Sequence, residues 1–176
     1  NIVQDDHGLL YIGTLDGLNI WDGHRMERFQ AADGRSYFEG NKIKHLYQTA
    51  PNRIYALTRH GLAKIDTQTK DVVFIDNFDP ESVIDIDSNG NIFAITGDNS
   101  LQFYNTSSDN MAVIEGFRLD KSDYCYRIVI SDTGVLHIFS RKGTWRITLT
   151  QTGDTPKITN VENLELKHLY VSQPHC

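Results

Sequence analysis

Four six-residue runs in this chain, LLYIGT (9–14), RIYALT (53–58), NIFAIT (91–96) and VLHIFS (135–140), align without a gap. Each follows a cluster of turn-forming residues, DDHG, TAPN, DSNG and SDTG. Gly8, Asn52, Gly90 and Gly134 therefore occupy one repeated position, 44, 38 and 44 residues apart. A period of about 42 residues constrains the fold more than any other property, because self-similarity at that length marks repeat architectures. Each six-mer leads through a tight connection, LDG, RHG, GDNS or RKG, into a second apolar run, LNIWD, LAKID, LQFYN or TWRIT. Two short β-rich runs joined this way read as a hairpin.

A third β-rich run precedes each turn (IVQ, IKHLYQ, VIDI, YRIVI) and a fourth follows each hairpin (RMERF, VVFI, MAVI, KITNV). Four short strands per repeat make a blade of a β-propeller. Helical periodicity is absent over any useful length. The predicted fold is thus all-β: one propeller domain with four-stranded antiparallel blades over about 1–41, 42–81, 82–124 and 125–163. Residues 164–176 start a fifth copy, since KHLY at 167–170 repeats KHLY at 44–47. An open stack of blades would leave strand edges exposed, so the chain reads as part of a larger propeller. Closure of a four-bladed ring, by pairing the last strand with Asn1 to Gln4, stays open as the alternative.

Composition excludes several function classes. Apolar residues make up 39% and charged residues 23%, ordinary for a globular domain. The net charge is -6, and no run of Lys and Arg is placed to neutralise successive phosphates, which argues against nucleic acid as a partner. No apolar stretch approaches the roughly 18 residues of a membrane helix. Cys125 and Cys176 lack the paired spacings of zinc ribbons and redox motifs; a disulfide and two separate thiols both remain open.

The chemical motifs are weaker than they look. HGLLYIGTLDGLNIWDG (7–23) holds four glycines, but a phosphate-binding glycine loop opens a helix, and here a second strand follows. Its glycines therefore read as architecture. Gly17 and, in the next copy, Gly61 are expected in a two-residue hairpin turn with positive φ, while Leu10 and Ile12 are expected to pack between blades. DIDSNG (85–90) matches the first half of an EF-hand loop, yet the twelfth position is Thr96 where a bidentate Glu is required. A polar turn is the expected reading, with no metal. His45 and His168 share one repeat position and are candidates to line a central channel. No triad or nucleophile motif occurs, so the segment is expected to be neither an enzyme nor a cofactor carrier.

What does not repeat are the loops between blades, at 31–41, 77–82, 115–126 and 150–157. The first and third carry Arg35, Tyr37, Phe38, Phe117, Arg118, Tyr124 and Tyr126, side chains suited to stacking on a flat ligand and binding its polar or anionic groups. Repeat scaffolds place recognition in such loops. The alternative, that Phe38, Phe117 and Tyr126 fill gaps between blades, stays open.

IVQDDHGLLYIGTLDGLNIWDG resembles the two-component regulator propeller repeat. Gln4, Asp5, Gly8, Ile12, Gly13, Thr14, Gly17, Leu18 and Asp22 match its pattern, with Tyr11 where Trp is usual. The second copy keeps Gln48, Thr58, Gly61, Leu62 and Asp66 and replaces the central Gly with Leu57. The WD dipeptide at Trp21 and Asp22 is a competing signal, but its sister copies read Ile65 and Asp66, Tyr104 and Asn105, and Ile147 and Thr148, and the preceding Gly-His is absent. The resemblance implies a periplasmic sensor segment of a hybrid two-component protein anchored in the inner membrane. It further implies an oligosaccharide ligand, the rest of the propeller and a histidine kinase downstream in the same chain, regulation of transcription, and a homodimeric parent. A protein-interaction propeller, or part of a propeller hydrolase or lyase, is the alternative.

Overall fold

The computed structural model describes residues 1–164. The fifth KHLY copy, His168 and Cys176 lie outside the described residues. Four antiparallel four-stranded sheets account for the described chain, each made of strands consecutive in sequence. The first holds β1 (Ile2–Gln4), β2 (Leu10–Thr14), β3 (Gly17–Trp21) and β4 (Met26–Arg28). The second holds β5 (Ile43–Ala50), β6 (Arg53–Thr58), β7 (Gly61–Asp66) and β8 (Val72–Phe74). The third holds β9 (Val83–Ile86), β10 (Ile92–Ile95), β11 (Ser100–Asn105) and β12 (Asn110–Arg118). The fourth holds β13 (Cys125–Ile130), β14 (Val135–Ser140), β15 (Thr144–Gln151) and β16 (Pro156–Leu164). Each sheet is one repeat and one blade.

The chain divides into two compact units, Asn1–Ser82 with Ser88–Asn91, and Val83–Asp87 with the residues from Ile92 onward. Each has its own core. In the first unit Tyr11, Phe29 and Phe38 meet Ile43, Ile54 and Ile65. In the second, Phe93 and Phe103 meet Ile128, Leu136, Ile138 and Ile147. The repeated six-mers are continuous apolar runs because the middle strands are covered on both faces: in β6 every residue from Ile54 to Thr58 is buried. In β2 the buried residue is Tyr11, at the family's usual Trp position, whereas Leu10 and Ile12 are only half-buried. The odd face of this strand meets the core of the first unit, and the even face is half-buried. Burial, with the Asp5 carboxylate nearby, pushes the Tyr11 hydroxyl up to about 12.

The turn ahead of each six-mer is the same in all four blades. Gly8, Asn52, Gly90 and Gly134 have φ of 84°, 58°, 82° and 74°. Asn is the side chain that best tolerates this left-handed region, which explains its exchange with glycine at one repeated position. In the first copy Asp5 Oδ1 accepts from the backbone N–H groups of His7 and Leu9, both at 2.9 Å, closing the turn.

The hairpin turn differs from expectation in one respect. Leu15 and Asp16 form it, and Gly17 already belongs to β3, paired with Thr14; Gly61 is likewise paired with Thr58. Their φ values of 128° and 123° still require glycine. At Gly17 there is a second reason, since a Cβ there would stand 2.4 Å from the Phe38 carbonyl oxygen. Gly13 serves a similar purpose, its missing side chain leaving room for Ile43 Cγ2, which a Cβ would meet at 2.6 Å.

The last residue of each six-mer carries a hydroxyl that ties the hairpin. Thr14 and Thr58 Oγ1 each donate to the carbonyl of the glycine three residues on, at 2.9 Å, and accept from the N–H of Asp16 and His60. Thr96 and Ser140 lie in the same position against Ser100 O and Gly143 O, at 3.1 and 3.0 Å.

Two outcomes follow for stability. Gly17→Ala meets both a positive φ and a carbonyl, and is expected to cost about 2 kcal/mol or more, read by urea denaturation. Gly34→Ala, at φ 78° with nothing near its Cβ position, costs about 1 kcal/mol. Equal midpoints for the two variants would show that the Phe38 approach does not matter. Thr58→Val preserves shape and strips the His60 N–H of its acceptor inside a buried turn, at a cost of about 1–3 kcal/mol. Thr14→Val, in the more exposed copy, costs less in the same assay.

Candidate functional site

The two units carry different surfaces at the sheet ends that hold the hydroxyl-tied hairpins. In the first unit, the 31–41 connection divides its candidates. Phe38 is 1% exposed and stands edge-on to Phe29 at 5.7 Å, with Phe74 at 6.2 Å. It is a core residue, because a side chain that solvent does not reach presents no face to a ligand. Arg35 and Tyr37 are brought together on the surface. The Tyr37 hydroxyl donates to Asp33 Oδ2 at 2.7 Å, and Arg35 lies 3.3 Å from that hydroxyl and 5.9 Å from the ring centre. The Asp33 carboxyl is held below the usual range by the backbone N–H of Arg35 and by the Tyr37 hydroxyl. Arg28 also stands at this end, bridging Asp16 at 2.9 Å and Glu39 at 3.0 Å.

In the second unit the connection after β12 starts at Leu119, later than expected, since Glu115–Arg118 still belongs to the strand. It is pinned from both neighbouring hairpins. Asn99 Nδ2 donates to the carbonyl oxygens of Asp120 and Asp123, at 2.9 and 3.3 Å. From the β14–β15 turn, Arg141 donates to Ser122 O and Lys142 Nζ meets Asp120 at 2.9 Å. The Ser122 hydroxyl and Lys142 hold the Asp120 carboxyl far below its ordinary value. Asp123, nearly buried, lies 2.7 Å from the Ser140 hydroxyl and accepts from the Lys142 N–H. This frame displays Tyr124 and Tyr126, 61% and 59% exposed, as an edge-to-face pair with centroids 5.2 Å apart. An exposed rigid aromatic pair beside fixed polar groups is a stacking surface.

Phe117 and Arg118 lie elsewhere in this unit, on the outer strand. Gln102 pairs with Val113 and Ser100 with Arg118, so two steps along β11 face five along β12. Three extra residues bulge outward, with Gly116 at φ 96°. The bulge opens a groove of about 550 Å³ lined by Asp98, Gln102, Val113, Glu115, Phe117 and Arg118 among others. Phe117 is half-buried and stands edge-on to Trp145 at 5.5 Å. Arg118 pairs with Asp98, whose carboxyl is lowered to about 2 by the Thr96 and Ser100 hydroxyls, with Arg118 contributing less. Asp98, Gln102 and Glu115 escaped the sequence reading. The available signal was Gly116 inside a strand-like run, a common mark of a bulge.

The inner strands hold the other candidates. His45 is exposed on β5, with its ring 6.0 Å from that of Tyr47. Desolvation of the ring by its neighbours, and to a lesser degree Lys44, lower its pKa. Asp85, the first acid of DIDSNG, accepts from the backbone N–H of Ile130 at 2.9 Å and so ties β9 to the neighbouring inner strand β13. Cys125 is buried, and burial pushes its thiol up to about 11.

No protein-family model matches the chain, and no curated protein matches it in sequence. Solved structures do match. The extracellular domain of BT4673 from B. thetaiotaomicron, named for a hybrid two component system, has a TM-score of 0.68 at 17% identity, over 99% of this chain and 22% of that one. The extracellular domain of BT3049 from the same organism, likewise named, has a TM-score of 0.65 at 15% identity, over 94% of this chain and 23% of that one. An auxiliary nutrient binding protein from Bacteroides thetaiotaomicron has a TM-score of 0.60 at 11% identity, over 92% and 40%. The chain spans less than a quarter of the length of the two extracellular domains. Its fold is the one that the regulator-repeat resemblance implies: the chain is part of a β-propeller, built of four-stranded antiparallel blades.

Proposed function

We propose that this chain is an extracytoplasmic sensor segment of a hybrid two-component signalling protein that responds to oligosaccharide. The observation that carries the reading is the likeness in fold to the extracellular domains of BT4673 and BT3049, together with a first blade that resembles the regulator repeat at nine positions from Gln4 to Asp22. A solved structure of related fold named as an auxiliary nutrient binding protein is in keeping with a binding role. The segment acts by binding, and each unit has its own candidates for contact with a ligand: Arg35 and Tyr37 in the first, and Tyr124 and Tyr126 in the second. It sits in the periplasm as part of an inner-membrane protein whose remaining propeller, kinase and transcription-regulating modules follow in the same chain. The parent is a homodimer, and the segment touches no nucleic acid. Signalling requires that the ligand favour one arrangement of the sensor over the other, since a ligand of equal affinity for both shifts nothing.

The test is thermal unfolding of the protein with a panel of oligosaccharides. A recognised glycan at about 100 times its dissociation constant adds roughly 2.7 kcal/mol and raises the melting temperature. Tyr124→Ala is expected to reduce that shift without changing the melting temperature of the free protein. If no glycan shifts the transition and a protein partner is recovered by pull-down, the chain is an interaction propeller and the sensor reading falls.

A further inference from the structure

The geometry points to the β12 groove as a subsite for a neutral hexose of an oligosaccharide, an inference that rests on the oligosaccharide reading above and adds a place and a chemical class to it. The groove is a built feature. Three residues beyond the regular ladder leave the register between Ser100 and Gln102, and the space they open, about 550 Å³, falls within the roughly 300–1,000 Å³ of small-molecule sites.

Its lining matches a pyranose ring on two counts. Phe117, braced edge-on by Trp145, and Val113, 48% exposed, give an apolar wall for the C–H face of a sugar. Around that wall stand an amide at Gln102, carboxylates at Glu115 and Asp98, and a guanidinium at Arg118. Sugar hydroxyls both donate and accept, so they can use this mixture of acceptors and donors. The Thr96 and Ser100 hydroxyls fix Asp98 Oδ1 at 2.5 and 2.8 Å, which spares the ligand the entropic cost of ordering it.

In the groove Arg118 is paired with Asp98, which leaves Glu115 as the unbalanced charge of the lining and disfavours a uronate or sulfate there. A second hollow of about 360 Å³, lined by Gly97, Asp98, Asn99, Arg118 and Lys121, shares the Asp98 and Arg118 wall. A chain of sugars can continue from one hollow into the other, which favours an oligosaccharide over a free monosaccharide.

Calorimetric titration of the protein with cellohexaose, maltohexaose and mannohexaose, and with hexagalacturonate as the acidic counterpart, tests the assignment. One neutral hexasaccharide is expected to bind, with hexagalacturonate at least about tenfold weaker. Phe117→Ala is expected to weaken the neutral ligand about tenfold, and Gln102→Ala and Glu115→Gln each about fivefold, the range of lost stacking and lost hydrogen bonds. If Phe117→Ala melts early, Glu115→Gln, at an exposed position, decides. Variants that melt normally and bind within twofold of the parent overturn the groove while leaving oligosaccharide sensing intact. A preference for hexagalacturonate overturns the neutral class, and binding of no probe overturns both the subsite and the reading beneath it.

Discussion

The second blade lies against the first because the first has no side chain at two points. The Phe38 carbonyl rests over Gly17, and Ile43 Cγ2 over Gly13, at separations that a methyl group would not allow. Between these contacts the chain leaves one blade and begins the next. They put the Phe38 ring into the shared core and place β5 so that Ile43 and Leu46 reach Tyr11 and Phe29. A glycine pair therefore acts at a distance from itself: it sets how closely two sheets approach, and that spacing decides whether their apolar faces interlock at protein-like density.

At the same sheet end, each hairpin is closed by a Thr or Ser hydroxyl and so needs little from its neighbours. The connections between blades are then free to differ. One repeated motif survives in them, an Asp in the hairpin facing an Arg at the end of the outer strand, as Asp16 and Arg28 in the first blade and Asp98 and Arg118 in the third. Such exposed pairs add little stability. In the first blade the pair extends to Glu39 and orders a connection that buries Phe38. In the third it forms one wall of an open groove. Similar chemistry serves packing in one place and presentation in the other.

The fold was largely legible in sequence because the repeated elements are local. A turn that needs positive φ selects Gly or Asn at Gly8, Asn52, Gly90 and Gly134, and the hairpin runs align around it. Long-range placement was less legible. Tyr11 and Leu10 are both apolar neighbours on one strand, and only the partner sheet decides which face is core. Gly17 looked like a turn residue because its neighbours Leu15 and Asp16 are unremarkable; the carbonyl that demands it comes from Phe38, far along the chain. Among the candidate residues, Arg35 and Tyr124 lie exposed in non-repeating connections, Tyr37 is half-buried against Phe74, and Tyr126 is exposed at the start of β13. Phe38 is buried, and an aromatic in a loop reads alike whether it faces solvent or core.

The bulge that forms the groove sits where the architecture tolerates it. In all four blades the two middle strands pair without a register break, at β2 with β3, β6 with β7, β10 with β11 and β14 with β15. Every recorded irregularity involves a first or a fourth strand. A one-residue slip in a middle strand would turn all its side chains to the opposite face, and with both faces buried each would lose its fitted contacts. An outer strand has a sheet partner on one side only, so an inserted residue disrupts one ladder and can bow away from it. Strand lengths follow this rule, from three residues in β4 and β8 to nine in β12 and β16. The positions best able to acquire new side chains without loss of the fold are therefore those flanking the regular hairpins, and it is there that Glu115, Phe117 and Arg118 lie, beside Gln102 of the neighbouring middle strand.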